Sequence, residues 1–167
     1  MYHKPVLLSE SVAGLNIKPA SVYVDATFGG GGHSKEILNQ LDGQSRLFAF
    51  DQDEDAQQNA IDDSRFTLIP HNFKHLHRFL RFHKVAQVDG ILADLGVSSH
   101  QFDTPERGFS IRFDGPLDMR MNQQQKQTAK DIVNTYSETD LADVLFAFGE
   151  LRNARKLAQQ ITQNRTK

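Results

Sequence analysis

Cysteine and tryptophan are both missing from this 167-residue sequence. Without cysteine there is no disulfide, no thiolate nucleophile and no cysteine-ligated zinc. Neither sign of charge dominates. The 19 Lys and Arg stand against 21 Asp and Glu, a net charge of -2, so contact with nucleic acid has to rest on a local patch. No apolar run approaches the roughly 18 to 20 residues of a membrane span, and the opening Met1-Tyr2-His3-Lys4-Pro5 lacks the apolar core of a secretory leader. No membrane partner is expected, and the expected location is cytoplasmic. What is present is ordinary globular composition: 38% hydrophobic, 24% charged, and 12 Phe to fill a core. The length suits one compact domain, or one domain with an appendage.

Short apolar runs alternate with longer amphipathic stretches over the first two thirds, the pattern of βα units. The runs are Val22-Tyr23-Val24, Arg46 to Phe50, Phe66 to Ile69 and Val88 to Ala93, ended by Asp25, Asp51, Pro70 and Asp94 respectively. Ser34 to Leu41 and Glu54 to Ile61 read as helices. The connections are too long for hairpins, so the strands are expected to be parallel. Residues 95–125, rich in Gly, Pro, Ser, Asp and Arg, read as a long structured loop. From Lys126 the chain turns helical: Ser137 has the character of an N-cap, and Leu141, Val144, Leu145 and Phe148 follow at helical spacing. A second stripe, Leu151, Ala154, Leu157, Ala158 and Ile161, continues beyond a break at Gly149.

The strongest local signal is Asp25-Ala-Thr-Phe-Gly29-Gly30-Gly31-Gly32-His33-Ser34, after a strand and before a helix. Consecutive glycines let the backbone turn sharply and approach a ligand closely, and the helix start adds unpaired N–H donors. About 20 residues further on, Asp51 ends the second strand, where a carboxylate reaches ribose hydroxyls. A dinucleotide fingerprint counted from Gly29 requires a third glycine where Ser34 stands, and no Lys-Ser or Lys-Thr follows to make a P-loop. The pattern Asp-x-x-x-Gly-x-Gly-Gly resembles the first motif of S-adenosylmethionine methyltransferases, whose ligand is a nucleoside carrying an amino acid. A structural glycine turn is the plain alternative.

Ligands of doubly wound sheets lie beyond the carboxyl ends of the strands. Asp94-Leu95-Gly96-Val97-Ser98-Ser99 is placed there, and Asp94 is suited to orient an exocyclic amine for in-line attack on a sulfonium methyl, or to hold the cofactor. A strand-capping Asp is the alternative. His71, His75, His77 and His83 match no recognised ligand set, so no metal is expected. Between Arg107 and Arg120, three Arg alternate with Phe109 and Phe113. Such residues contact phosphates and stack on an extruded base, or equally anchor a loop to a core.

Several stretches together resemble the bacterial 16S rRNA (cytosine-N4)-methyltransferases, the MraW family. They are His3 to Leu8, Tyr23 to Ser34, Asp51-Gln-Asp53, Asn72-Phe73, Asp89 to Ser99, Glu106 to Ser110, Gly115 to Met121, Phe148 to Glu150 and Ala154-Arg-Lys156. The resemblance covers essentially the whole chain. It implies transfer of a methyl group from S-adenosyl-L-methionine to N4 of a cytidine in the decoding region of 16S rRNA, with the small ribosomal subunit as partner. Carried over by motif, Gly31, Gly32 and His33 form the cofactor loop, Asp51 holds the ribose and Phe73 packs by the adenine. Asp94 and Gln101 complete the pocket, Asp94 also being the expected catalytic residue. Arg107, Phe109, Arg112 and Arg120 face the RNA.

The implied fold is α/β: a Rossmann-like methyltransferase sheet with strands in the order 3-2-1-4 over residues 1–103. Residues 104–167 then hold a loop and the start of an inserted helical domain. Family chains continue further, so the resemblance implies an N-terminal portion. One rival is a nicotinamide-dependent oxidoreductase, which Ser34 argues against. The other is a fragment that binds cofactor or RNA without turnover. An open fourth-strand edge leads to self-association, a homodimer in the simplest form, or to unfolding.

Overall fold

The computed structural model describes residues 5–165; His3 and Lys4 of the first matching stretch lie outside them. The chain divides into two compact units. The first comprises residues up to His100 with Met121–Gln123, and the second Gln101–Arg120 with the residues from Gln124 onward.

The first unit is built on four strands: β1 (Val22–Asp25), β2 (Arg46–Phe50), β3 (Phe66–Ile69) and β4 (Gly90–Leu92). All pair in parallel, in the order β3-β2-β1-β4. This is the sheet and strand order expected, a Rossmann-like arrangement. Strand side chains alternate between faces, and here each face carries its own apolar cluster. Tyr23 and Leu47 pack with Val12 of α1 (Leu8–Gly14), Ile37 and Leu38 of α2 (Gly32–Gln40), and Leu41 just after it. Val24, Phe48 and Phe50 pack on the other face with Ile69, Leu80 and Val85, Leu80 coming from α4 (Leu76–Phe82). A strand covered on both faces has to be apolar throughout, which is why β2 reads Leu-Phe-Ala-Phe after Arg46. Each fully buried Leu, Ile or Phe contributes about 1.5–3 kcal/mol.

Register aligns the carboxyl ends. Asp25 lies opposite Ala49 and Leu92, and Ala49 opposite Leu68. Asp51, Ala93-Asp94 and Pro70-His71 therefore leave the sheet along one edge. The fourth strand is shorter than its apolar run because Asp89 bridges to β1 instead: its amide donates to the Val22 carbonyl and its Oδ2 accepts from the Val22 amide.

Other differences from the sequence reading have local causes. The helix expected over Glu54 to Ile61 is only α3 (Glu54–Gln57). The backbone beyond it closes in single turns, Asn59 N to Ala56 O and Ala60 N to Gln57 O, while the Asn59 side chain donates to the Gly29 carbonyl at 3.1 Å. The stretch 95–125 is not all loop: it contains α5 (Ser99–Asp103) and a 3-10 turn at Pro105–Arg107. In the second unit follow α6 (Ala129–Thr135), α7 (Glu138–Ala147) and α8 (Ala154–Asn164). Ser137 caps α7 through the Asp140 amide. Leu141, Ala142 and Ala158 form the buried centre with Ile132, Leu145 and Ile161 around it. The break falls at Gly149, where an added Cβ would meet the Leu145 carbonyl at 2.7 Å.

Candidate cofactor site

The glycine turn is shaped from below by a buried acid. Asp25, fully buried at the end of β1, accepts from the Thr27 amide at 3.0 Å and from the Ser34 hydroxyl at 2.7 Å. One carboxylate thus spans the turn from its first residue to the first helical turn beyond it. Burial pushes the Asp25 carboxyl above its usual range, and the bonds from Ser34 and Thr27 oppose that. Gly29 and Gly31 have φ of +51° and +74°, which L side chains adopt only at a cost. Gly31 is further constrained, because a Cβ there would stand 3.0 Å from the Phe28 ring, and one at Gly32 would collide with Pro5. His33 is buried, and its Nε2 has no hydrogen-bond partner among the described residues. A buried polar atom left so is costly unless a ligand meets it.

The second strand supplies the acid. Asp51 Oδ2 accepts from the Gly29 amide at 2.8 Å, and Oδ1 from the Asp53 amide at 2.9 Å. A carboxylate offers about four acceptor positions; the amides of Gly29 and Asp53, with a weaker contribution from the Gln52 amide, leave part of that capacity for a hydroxyl-bearing ligand. Burial raises the Asp51 carboxyl above the ordinary range, opposed by the amides of Asp53 and Gly29. The neighbouring strand ends are tied by Asn72 Nδ2, which donates to Gln52 Oε1 at 2.9 Å. Phe73 begins the 3-10 turn just beyond, 41% exposed, with Asn72 capping that turn through the Lys74 amide.

On the other side of β1, the Asp94 amide donates to Thr27 Oγ1 at 2.8 Å, while its carboxylate is exposed. The fold therefore brings Gly31, Gly32, His33, Asp51, Phe73 and Asp94 to the carboxyl edge of one sheet. A turn without Cβ atoms, an orphaned buried imidazole and an acid at the second strand fit a nucleoside bearing an amino acid. No phosphate-binding lysine is needed for such a ligand.

The remaining candidates belong to the second unit. Gln101 is buried on α5. Arg107 is buried, donates to the Arg120 carbonyl at 3.0 Å, and stands 5.9 Å from the half-buried Phe109 ring. Arg120 is held by both carboxylate oxygens of Asp118, at 2.8 and 2.6 Å, and by the Gln125 carbonyl. Those bonds hold the Asp118 carboxyl below its usual range. Arg112 is exposed, 3.9 Å from Asp103. Two of the three loop arginines thus secure the loop's own backbone, and Arg112 is the one that presents an exposed guanidinium.

Sequence reasoning passed over Ser34, Thr27, Asn59 and the Gln52–Asn72 pair, all of which hold the site in place. A signal existed: Asp25-x-Thr27, Asp51-x-Asp53 and Asn72-x-Lys74 all make the same side-chain-to-backbone turn, residue i accepting from the amide of i+2.

The family model described as the MraW methylase family matches residues 1–167. A relative named ribosomal RNA small subunit methyltransferase H from Phocaeicola vulgatus is 61% identical over 165 residues, 99% of this chain and 54% of its own. The protein of that name from Flavobacterium johnsoniae is 63% identical over 164 residues, 98% of this chain and 54% of its own. The chain spans about half the length of the curated relatives it matches. Among solved structures, an rRNA methylase from Streptococcus thermophilus is 26% identical, covering 48% of this chain and 51% of that one, with a TM-score of 0.37.

Proposed function

Because the chain belongs to the MraW methylase family, we propose that it builds the S-adenosylmethionine site of an enzyme that methylates N4 of a cytidine in the decoding region of small-subunit rRNA. The observation that carries this reading is Asp51 at the end of the second strand, latched to the amides of Gly29 and Asp53 beside the glycine turn.

When bound, S-adenosylmethionine supplies an electrophilic methyl on sulfur. In this reading Asp51 accepts from both ribose hydroxyls and Phe73 lies against the adenine. The Gly31–Gly32 turn passes close to the amino-acid end, with His33 Nε2 as donor to it. Asp94, fixed through its backbone to Thr27, accepts an N–H of the exocyclic amine and so aims the nitrogen lone pair along the line of transfer. Exposed Arg112 and half-buried Phe109 offer the loop's contacts to RNA.

Calorimetric titration of S-adenosylmethionine into the chain tests the first part. Saturable one-site binding is expected, weakened at least about a hundredfold in Asp51→Ala, since hydrogen bonds to a charged acceptor contribute about 1.5–3 kcal/mol each. Unchanged affinity in the variant would sink the assignment. Incorporation of labelled methyl into naked or assembled small-subunit RNA tests turnover and substrate.

A further inference from the structure

Residues 64–88 contain no Asp or Glu, in a chain that has 21 of them. The same stretch holds Arg65, Lys74, Arg78, Arg81, Lys84 and four His. Arg65 is bound to Asp63. The other four cations are exposed, and among the described residues none has an ion-pair partner. Lys74, Arg78 and Arg81 follow at spacings of four and three, which places them along one side of the 3-10 turn and α4. Like charges so spaced repel and weaken a helix. The stripe is a cost to the fold that a counter-charge from outside would relieve.

Beside it, α4 and β3 enclose an open cleft of about 620 Å³. Its walls include Ile69 and Phe79, and His71, His75, Arg78 and Phe82 also line it. Phe82 is 79% exposed, and the His71 ring stacks on Phe79 at 4.6 Å. Among the described residues no group of three His, Asp or Glu converges on a metal position. Uncompensated cations next to exposed aromatic faces suit a ligand that is anionic and flat in the same unit. An unpaired nucleotide is such a ligand, since its phosphate pairs with Lys or Arg and its base stacks.

We propose that the α4–β3 cleft and the Lys74–Arg78–Arg81 stripe form a second RNA-contact surface, which takes unpaired nucleotides of the substrate with their backbone along the stripe. The surface begins at Lys74, directly after Phe73, and so extends from the sheet edge that carries the cofactor residues. The proposal rests on the rRNA-methyltransferase reading and extends it from the reacting base to the flanking strand.

The test uses a fluorescein-labelled single-stranded RNA oligonucleotide and the full chain, read by anisotropy over a range of salt. Arg78→Glu with Arg81→Glu is expected to lower affinity about tenfold or more and to reduce the salt slope by about one to two. Phe82→Ala is expected to lower affinity about tenfold with the slope unchanged. S-adenosylmethionine binding stays the same in each variant, which also reports that they fold. In the unsubstituted chain, RNA should protect Lys74 from acetylation and leave Lys35, on α2 across the sheet, reactive. Full RNA affinity in the charge-reversed variant, or equal reactivity of Lys74 with and without RNA, would overturn the proposal. So would arginine-dependent binding to phosphatidylserine vesicles without binding to RNA. If the chain takes up S-adenosylmethionine but no RNA, this surface is refuted while the cofactor reading stands.

Discussion

At the scale of single residues, the role proposed for Asp51 sets the pH dependence expected of S-adenosylmethionine binding. Burial holds its carboxyl above the usual range, and only the ionised form accepts from both hydroxyls of a ribose. S-adenosylmethionine affinity should therefore be constant near neutral pH and fall as pH drops through that raised value. The loss should begin at a higher pH than an exposed aspartate would give. Titrations at a series of pH values check this; affinity flat down to the ordinary carboxylate range would contradict it. The position of Asp51, at a strand end beside the glycine turn, was legible in the sequence because a strand end, a glycine turn and an acid at set spacing are local signals. Ser34 was legible only as the residue that breaks a dinucleotide fingerprint. That it buckles the turn to Asp25 depends on two groups meeting in a buried place, which no spacing rule encodes.

At the scale of elements, the strands were readable because each is a short, mostly apolar run ended by Asp or Pro, and their order followed from the resemblance. Short helices were harder. α5 spans five residues and α3 four, less than is needed for an apolar period to show. α6 carried a sequence signal that went unread, namely Thr128 with Asp131 three residues later. Their side chains make reciprocal bonds to each other's amides in a capping box. Thr128→Ala is expected to destabilise the second unit by about 1 kcal/mol, seen as a lower denaturation midpoint in a helix-sensitive signal. Affinity for S-adenosylmethionine, proposed to rest chiefly on residues of the first unit, should not change.

At the scale of the whole molecule, a change of composition after Asp94 was readable in the sequence. The net charge of -2 conceals how charge is distributed: the 25-residue stretch 64–88 has no acid at all, a signal in the sequence that the reading of motifs passed over. The sheet has a second feature at this scale. β4 pairs only with β1 among the described strands, and Ile91 on it is 51% exposed. A strand edge that is flat and apolar pairs readily with another copy. Sedimentation velocity is expected to show concentration-dependent association that Ile91→Lys suppresses; a monomer at every concentration would refute it.

The carboxylate that latches the glycine turn has one more consequence. Gly29 and Asp53 sit on different loops, yet both their amides end on Asp51. Their protection from exchange with solvent deuterium is thus held by a single side chain, and the two should open on one clock. Whatever neutralises or removes that carboxylate frees both amides at once, and whatever fastens it from outside slows both together. A ligand that fastens to the Asp51 carboxylate, as proposed for a ribose, would thereby be written into the exchange rates of two backbone protons.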